Sequence, residues 1–158
     1  MTDVRNSEAL PAVAISACLA GIPCSYKCGH HKIDELSLLK RSCRVVHVCP
    51  ESQGGLEAPR EPAEIQGDRV VARDGKDVTA EFREGAQAAL SLAQEAGCAY
   101  ALLKEKSPSC GFGRIYDGSF TGTLVPGSGV AARMFADEGI RVFGESKVTE
   151  LLRELGIS

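Results

Sequence analysis

Apolar residues in this chain come in short runs that stop abruptly in loops rich in glycine and proline, and that pattern constrains the fold most. The runs lie at residues 12–17, 45–48, 99–104 and 140–143. Continuous apolar runs of this length, without the alternation of a half-exposed strand, predict strands buried on both faces. Helical patterns fall between them. Asp34 is placed to cap a short helix with Leu36, Leu38 and Leu39. Asp77 or Thr79 opens a longer one whose face is Phe82, Ala86, Ala89, Leu90 and Ala93, stopped by Gly97. Ser128 is placed to cap a helix through Val130, Met134 and Phe135, and a last helix spans residues 146–155. Strand and helix alternating at this spacing predict an open, mostly parallel, Rossmann-like α/β sheet with helices on both faces.

At 158 residues the chain reads as a single domain over residues 12–158, behind a polar, flexible N-terminal arm at residues 1–11. Residues 50–66 carry Pro50, Pro59 and Pro62 and read as a long irregular loop, after which residues 69–72 form a short strand. A hairpin is expected around residues 121–125. The net charge of −3 argues against a nucleic-acid or membrane-surface binder and favours a small ligand. Ile15-Ser16-Ala17-Cys18 has the look of a lipoprotein cleavage site, but the positive start and long apolar stretch of a secretory signal are missing. The seven cysteines are an odd number, ill suited to a complete disulfide framework, so a cytoplasmic, reducing location is expected.

Three cysteines stand where an apolar run breaks into a loop: Cys18, Cys49 and Cys110. If the runs are neighbouring parallel strands, these loops line one crevice at the strands' carboxyl ends. Three converging thiolates then suit a zinc or iron–sulfur site with one open position, although three small core residues would read the same way. A rival cluster is Cys18, Cys24, Cys28 and His30, with His31 beside it, whose spacing loosely fits a zinc- or ligand-binding module without catalysis. Cys43 and Cys98 read as buried structural thiols. A redox enzyme is disfavoured because no Cys-x-x-Cys is present. Glu51 lies two residues beyond Cys49, placed for general acid or base work, and the hydroxyls of Ser107 and Ser109 are suited to a polar substrate or to their own turn.

In order along the chain stand Ser16-Ala17-Cys18-Leu19, Pro23-Cys24, Cys49-Pro50-Glu51 and Gly54-Gly55-Leu56. Pro59-Arg60, Pro62-Ala63-Glu64-Ile65, Ser107-Pro108-Ser109-Cys110-Gly111 and Tyr116-Asp117-Gly118 follow. This ordered set resembles the thiouracil desulfurase family over residues 12–145. The resemblance implies a [4Fe-4S] cluster on Cys18, Cys49 and Cys110, whose open iron takes the sulfur of a thiolated base. It implies conversion of free 2-thiouracil to uracil and sulfide, with Glu51 transferring protons and Ser107 touching substrate. Ser109, Tyr26 and Gly111 are expected to bind the substrate beside them. Longer relatives act on thiolated transfer RNA, so a small-molecule base is the expected partner here, with no nucleic acid and no membrane. One loop departs: where the family has Arg-Tyr-Asp-Gly-Gly, this chain has Ser25-Tyr26-Lys27-Cys28-Gly29.

Overall fold

The computed structural model describes residues 10–22, 32–56 and 59–157. Strands β1 (Ala12–Ser16), β2 (Arg44–Val48), β5 (Tyr100–Leu103) and β8 (Arg141–Gly144) form a parallel four-stranded sheet in the order β2-β1-β5-β8. β1 pairs with β2 from Ala12↔Arg44 to Ser16↔Val48 and with β5 from Val13↔Tyr100 to Ile15↔Leu102. It is buried at every position, as expected of a central strand read from an unbroken apolar run.

The two faces of the sheet carry two cores, because successive strand residues point to opposite sides. On one face Ala12, Ala14, Ala101 and Leu103 pack with α3 (Thr79–Glu95) and α4 (Val130–Asp137) through Ala86, Ala89, Ala132 and Phe135. On the other, Val13, Ile15 and Leu102 pack with α1 (Leu36–Ser42) and α5 (Val148–Glu154) through Leu39, Leu151 and Leu152. Each fully buried Leu, Ile or Phe contributes about 1.5–3 kcal/mol relative to exposure. β1 therefore connects to its two neighbours over opposite faces, α1 leading to β2 and α3 leading from β2 back past β1 to β5. This reversal is a topological switch point, where open α/β sheets leave a crevice at the strands' carboxyl ends.

Two antiparallel hairpins flank that end: β3 (Ala63–Gln66) with β4 (Arg69–Ala72), and β6 (Arg114–Tyr116) with β7 (Leu124–Pro126). The stretch expected to be irregular from residue 50 to 66 thus contains order at both ends. It opens with a single turn of helix, α2 (Pro50–Gln53), and closes with β3. β3 escapes the apolar-run test because its fully inward position is Glu64, a carboxylate. α2 and α3 touch backbone to backbone. A Cβ on Gly85 would lie 1.7 Å from the Pro50 carbonyl oxygen, and one on Gly54 2.0 Å from that of Glu81. The second hairpin is wider than expected, its strands starting at Arg114 and ending at Pro126.

Helix caps also differ from expectation. Glu35 and Gly129, rather than Asp34 and Ser128, are the residues that precede α1 and α4, and neither helix has a side-chain cap. Residues 145–147 form a 3-10 turn, so the last helix begins at Val148. Of the N-terminal arm, residues 1–9 lie outside the described residues.

Candidate functional site

The loops that follow β1, β2 and β5 bring Cys18, Cys49 and Cys110 to the wall of one cavity of about 560 Å³, which Glu51, Ser107 and Ser109 also line. Cys18 sits in a 3-10 turn, Ala17–Ala20, that leaves β1 directly. Cys49 is the residue between β2 and α2, and its backbone N–H donates to the Gln53 side-chain oxygen at 2.9 Å. Its thiol lies 3.2 Å from the Ser52 hydroxyl. Pro50 begins α2 with the φ a helix needs, which turns Glu51 into the first helical turn.

Cys110 is held by a turn built from its own neighbours. The Ser107 hydroxyl accepts hydrogen bonds from the backbone N–H groups of Ser109 (3.1 Å) and Cys110 (3.0 Å). The Gly111 N–H donates to the Ser107 carbonyl at 2.8 Å, and that of Gly129 to the Gly111 carbonyl at 2.7 Å. A Cβ on Gly111 would meet the Ser107 oxygen at 2.6 Å. Gly111 is therefore buried behind the cavity wall and is not among the residues that line it.

Burial pushes the Cys110 thiol up to about 12, opposed by hydrogen bonds from Ser16 and Ser109 and reinforced by the nearby Glu51 and Cys49. The Ser16 hydroxyl, at the end of β1, accepts from the Lys104 backbone N–H at 2.8 Å, so its own proton is free to serve the sulfur. Ser109 is buried, and its hydroxyl faces Glu51 Oε2 at 3.4 Å and the Cys110 sulfur at 3.7 Å. The other carboxylate oxygen of Glu51 takes an ion pair from Arg60 Nε at 2.9 Å. Arg60 in turn donates to the Leu56 carbonyl at 2.8 Å, anchoring the guanidinium in the loop after α2.

Reading from sequence assigned no role to Arg60, Ser16 or Glu64. All three stand inside the ordered motifs that carry the family resemblance, and Ser16 is in addition a hydroxyl closing an apolar run, which is the signal that marks it. Tyr26, and with it Cys24, Cys28, His30 and His31 of the rival cluster, lies outside the described residues.

Among the described residues no three His, Cys, Asp or Glu side chains gather tightly enough to enclose one metal ion. The donors at this cavity are three thiols from three separate loops. Soft thiolates are the ligands that select iron–sulfur clusters, and a cluster takes each of its thiolates on a different iron. The residues present fit such a group.

Fold and cavity together define an open α/β protein with a thiol-lined site at the switch point of a parallel sheet. The chain belongs to the 2-thiouracil desulfurase family, whose model matches residues 13–147. It is 39% identical over 150 residues to YbbK, an uncharacterised protein of Bacillus subtilis (strain 168), covering 89% of this chain and 99% of that one. It is also similar to the solved structure of a [4Fe-4S]-dependent thiouracil desulfidase, TudS (DUF523Vcz), with a TM-score of 0.88 and 44% identity. That match covers 92% of this chain and 98% of the other. Among the described residues no helix is long and apolar enough to cross a membrane.

Proposed function

We propose that this protein hydrolyses the thiocarbonyl of free 2-thiouracil at a [4Fe-4S] cluster held by Cys18, Cys49 and Cys110. The observation that carries the proposal is the single cavity that three thiols from three strand-end loops share with Glu51 and Ser109. When bound, the cluster supplies a soft Lewis-acidic iron for the thiocarbonyl sulfur. The reaction consumes one water: the carbon–sulfur double bond is replaced by a carbon–oxygen double bond, and the sulfur leaves as hydrogen sulfide.

Proton movement falls to this chain's own side chains. Glu51 takes one proton from the attacking water and passes it to the departing sulfur. It then relays the second from the new C–OH as that becomes the carbonyl, so both protons of the water leave in hydrogen sulfide. Its carboxylate is set in place by Arg60 on one oxygen. The buried Ser109 hydroxyl faces the other oxygen and gives the cavity a polar donor next to Cys110. Ser107 lines the cavity while its hydroxyl braces the turn, so substrate contact and turn geometry are coupled there. Gly111 serves the substrate site from behind, by keeping that turn close-packed. Tyr26 completes the set as a substrate-binding residue. A free base rather than a polynucleotide suits a net charge of −3 and a cavity of small-molecule size. We place the protein in the reducing cytoplasm, where the buried Cys43 and Cys98 stay reduced and the thiols at the cavity stay available to a cluster.

Anaerobically reconstituted protein should contain about four irons per chain, the content of one [4Fe–4S] cluster. It should release sulfide and uracil from 2-thiouracil in equal amounts. Fully iron-loaded protein that leaves 2-thiouracil intact would overturn the proposal.

A further inference from the structure

Only two non-glycine residues among those described have a left-handed backbone, Lys106 (φ 70°) and Phe120 (φ 61°), and both line the cavity. A bulky side chain there is strained, and such strain persists only where surrounding structure enforces it, most often at functional sites. At Phe120 the enforcing contacts are explicit. Glu64 of β3 is buried, and its Oε1 accepts hydrogen bonds from the backbone N–H groups of Gly118 (2.9 Å) and Phe120 (3.1 Å). Gln66 of the same strand donates to the Gly118 carbonyl at 2.8 Å. Arg73, just past β4, places its guanidinium carbon 5.8 Å from the centre of the Phe120 ring, within cation–π range.

The β3–β4 hairpin therefore grips Phe120 by its backbone and by its ring, and holds a half-buried aromatic at the wall of the cavity, which Tyr116 also lines. Filling a gap in the core does not explain this arrangement. The ring is not part of any of the three buried cores, and a glycine or asparagine would adopt the same backbone without strain. A flat ring with a polarised face is what a planar heterocycle stacks on.

We infer that Phe120 is the platform on which the ring of the thiolated base stacks, and that Glu64 is the positioning residue that holds it there. The inference rests on the desulfurase reading above, for which the wild-type turnover of 2-thiouracil is the separate control. Stacking is equally available to substrate, transition state and product, so it acts as uniform binding, moving KM and product affinity rather than kcat.

The test uses iron-loaded protein and two readouts, steady-state sulfide release and calorimetric binding of uracil. Phe120→Gly relaxes the backbone and removes the ring, so folding is not at risk. It should raise both KM for 2-thiouracil and Kd for uracil about tenfold, the scale of losing one base–aromatic stack, with kcat changed less than twofold. Phe120→Tyr keeps the ring and should fall between Phe120→Gly and the native chain. Glu64→Ala should reproduce the KM effect, and Glu64→Gln, which retains an acceptor for both N–H groups, should restore most of it. If native protein is active but Phe120→Gly keeps native KM and uracil affinity, the platform is wrong. A variant that loses only thermal stability or iron would overturn it too. Native protein that binds iron yet does not turn over 2-thiouracil instead defeats the parent reading.

Discussion

At the scale of single residues, the site turns on how one carboxylate is held. Glu51 has Arg60 on one oxygen and the Ser109 hydroxyl on the other, so its orientation depends on a partner nine positions away and one from a different loop. Removing the carboxylate with Glu51→Gln should leave iron content intact and lower kcat by about 10²- to 10⁴-fold, the usual share of general acid–base catalysis. Arg60→Ala leaves the carboxylate present but unanchored, and should lower kcat by roughly tenfold, or about 1.4 kcal/mol, with a smaller change in KM. Sulfide release measured at matched iron content checks both. An Arg60→Ala enzyme with native kcat would remove Arg60 from the account. Cys49-Pro50-Glu51 was legible in the sequence because its three members are contiguous. The Arg60 contact was not, since an arginine in a loop looks the same whether it faces solvent or a buried carboxylate.

At the scale of elements, the weak point is the crossing of α2 and α3. Gly85 lies mid-helix, where a glycine normally costs stability, and it is kept there by a Pro50 carbonyl too close to admit a side chain. Gly85→Ala should destabilise the fold by about 1–3 kcal/mol through overpacking, a fall of several degrees in Tm for a domain of this size. Because α2 carries Cys49 and Glu51, it should also shed iron faster. Gln87→Ala, on the exposed side of the same helix, is the control and should do neither. Thermal melts and iron retention after dialysis read this out. The start of α3 offers a pH test. Hydrogen bonds from the Thr79 side chain and N–H, then the Arg69 ion pair, hold the Asp77 carboxyl down at about 2. A carboxyl lowered in the folded state contributes stability in full above its unfolded value of about 3.9. That contribution is lost as pH falls through about 2, and a carbon NMR titration of Asp77 should place its midpoint there. The long helix was legible because its apolar face repeats over several turns. β3 was not, because Glu64 stands at the position where an apolar residue would have announced a strand. That carboxylate is buried only because backbone N–H groups from the distant residues 118 and 120 meet it, a contact no local pattern encodes.

At the scale of the whole molecule, the site and the core are separable. The sheet order was not readable from the runs alone, and the expectation of strands buried on both faces holds for the central β1 and β5 but not for β2 and β8, which are partly exposed edges. Reading the runs as parallel neighbours was nonetheless enough to place three cysteines at one end. The cores on the two faces of the sheet are closed largely by strand and helix residues such as Ala14, Phe135, Ile15 and Leu151. Cys110 and Cys18 are buried members of these two cores, one on each face, while Cys49 lies outside both. A ligand that binds the native state alone adds stability by mass action without being needed to form it. Removing iron with a chelator under anaerobic conditions should therefore lower Tm by several degrees, on the order of 2–4 °C for each kcal/mol of linkage lost, while the far-UV circular dichroism of the sheet and helices persists. Hydrogen exchange should localise the difference. Amides of residues 17–20, 49–53 and 107–111 should lose protection, while those of β1 and β5 keep theirs. Small metal-dependent domains behave oppositely and unfold when the metal is withdrawn. Global loss of protection in β1 on chelation would show that the cluster organises the sheet itself, and that the separation of core from site drawn here is wrong.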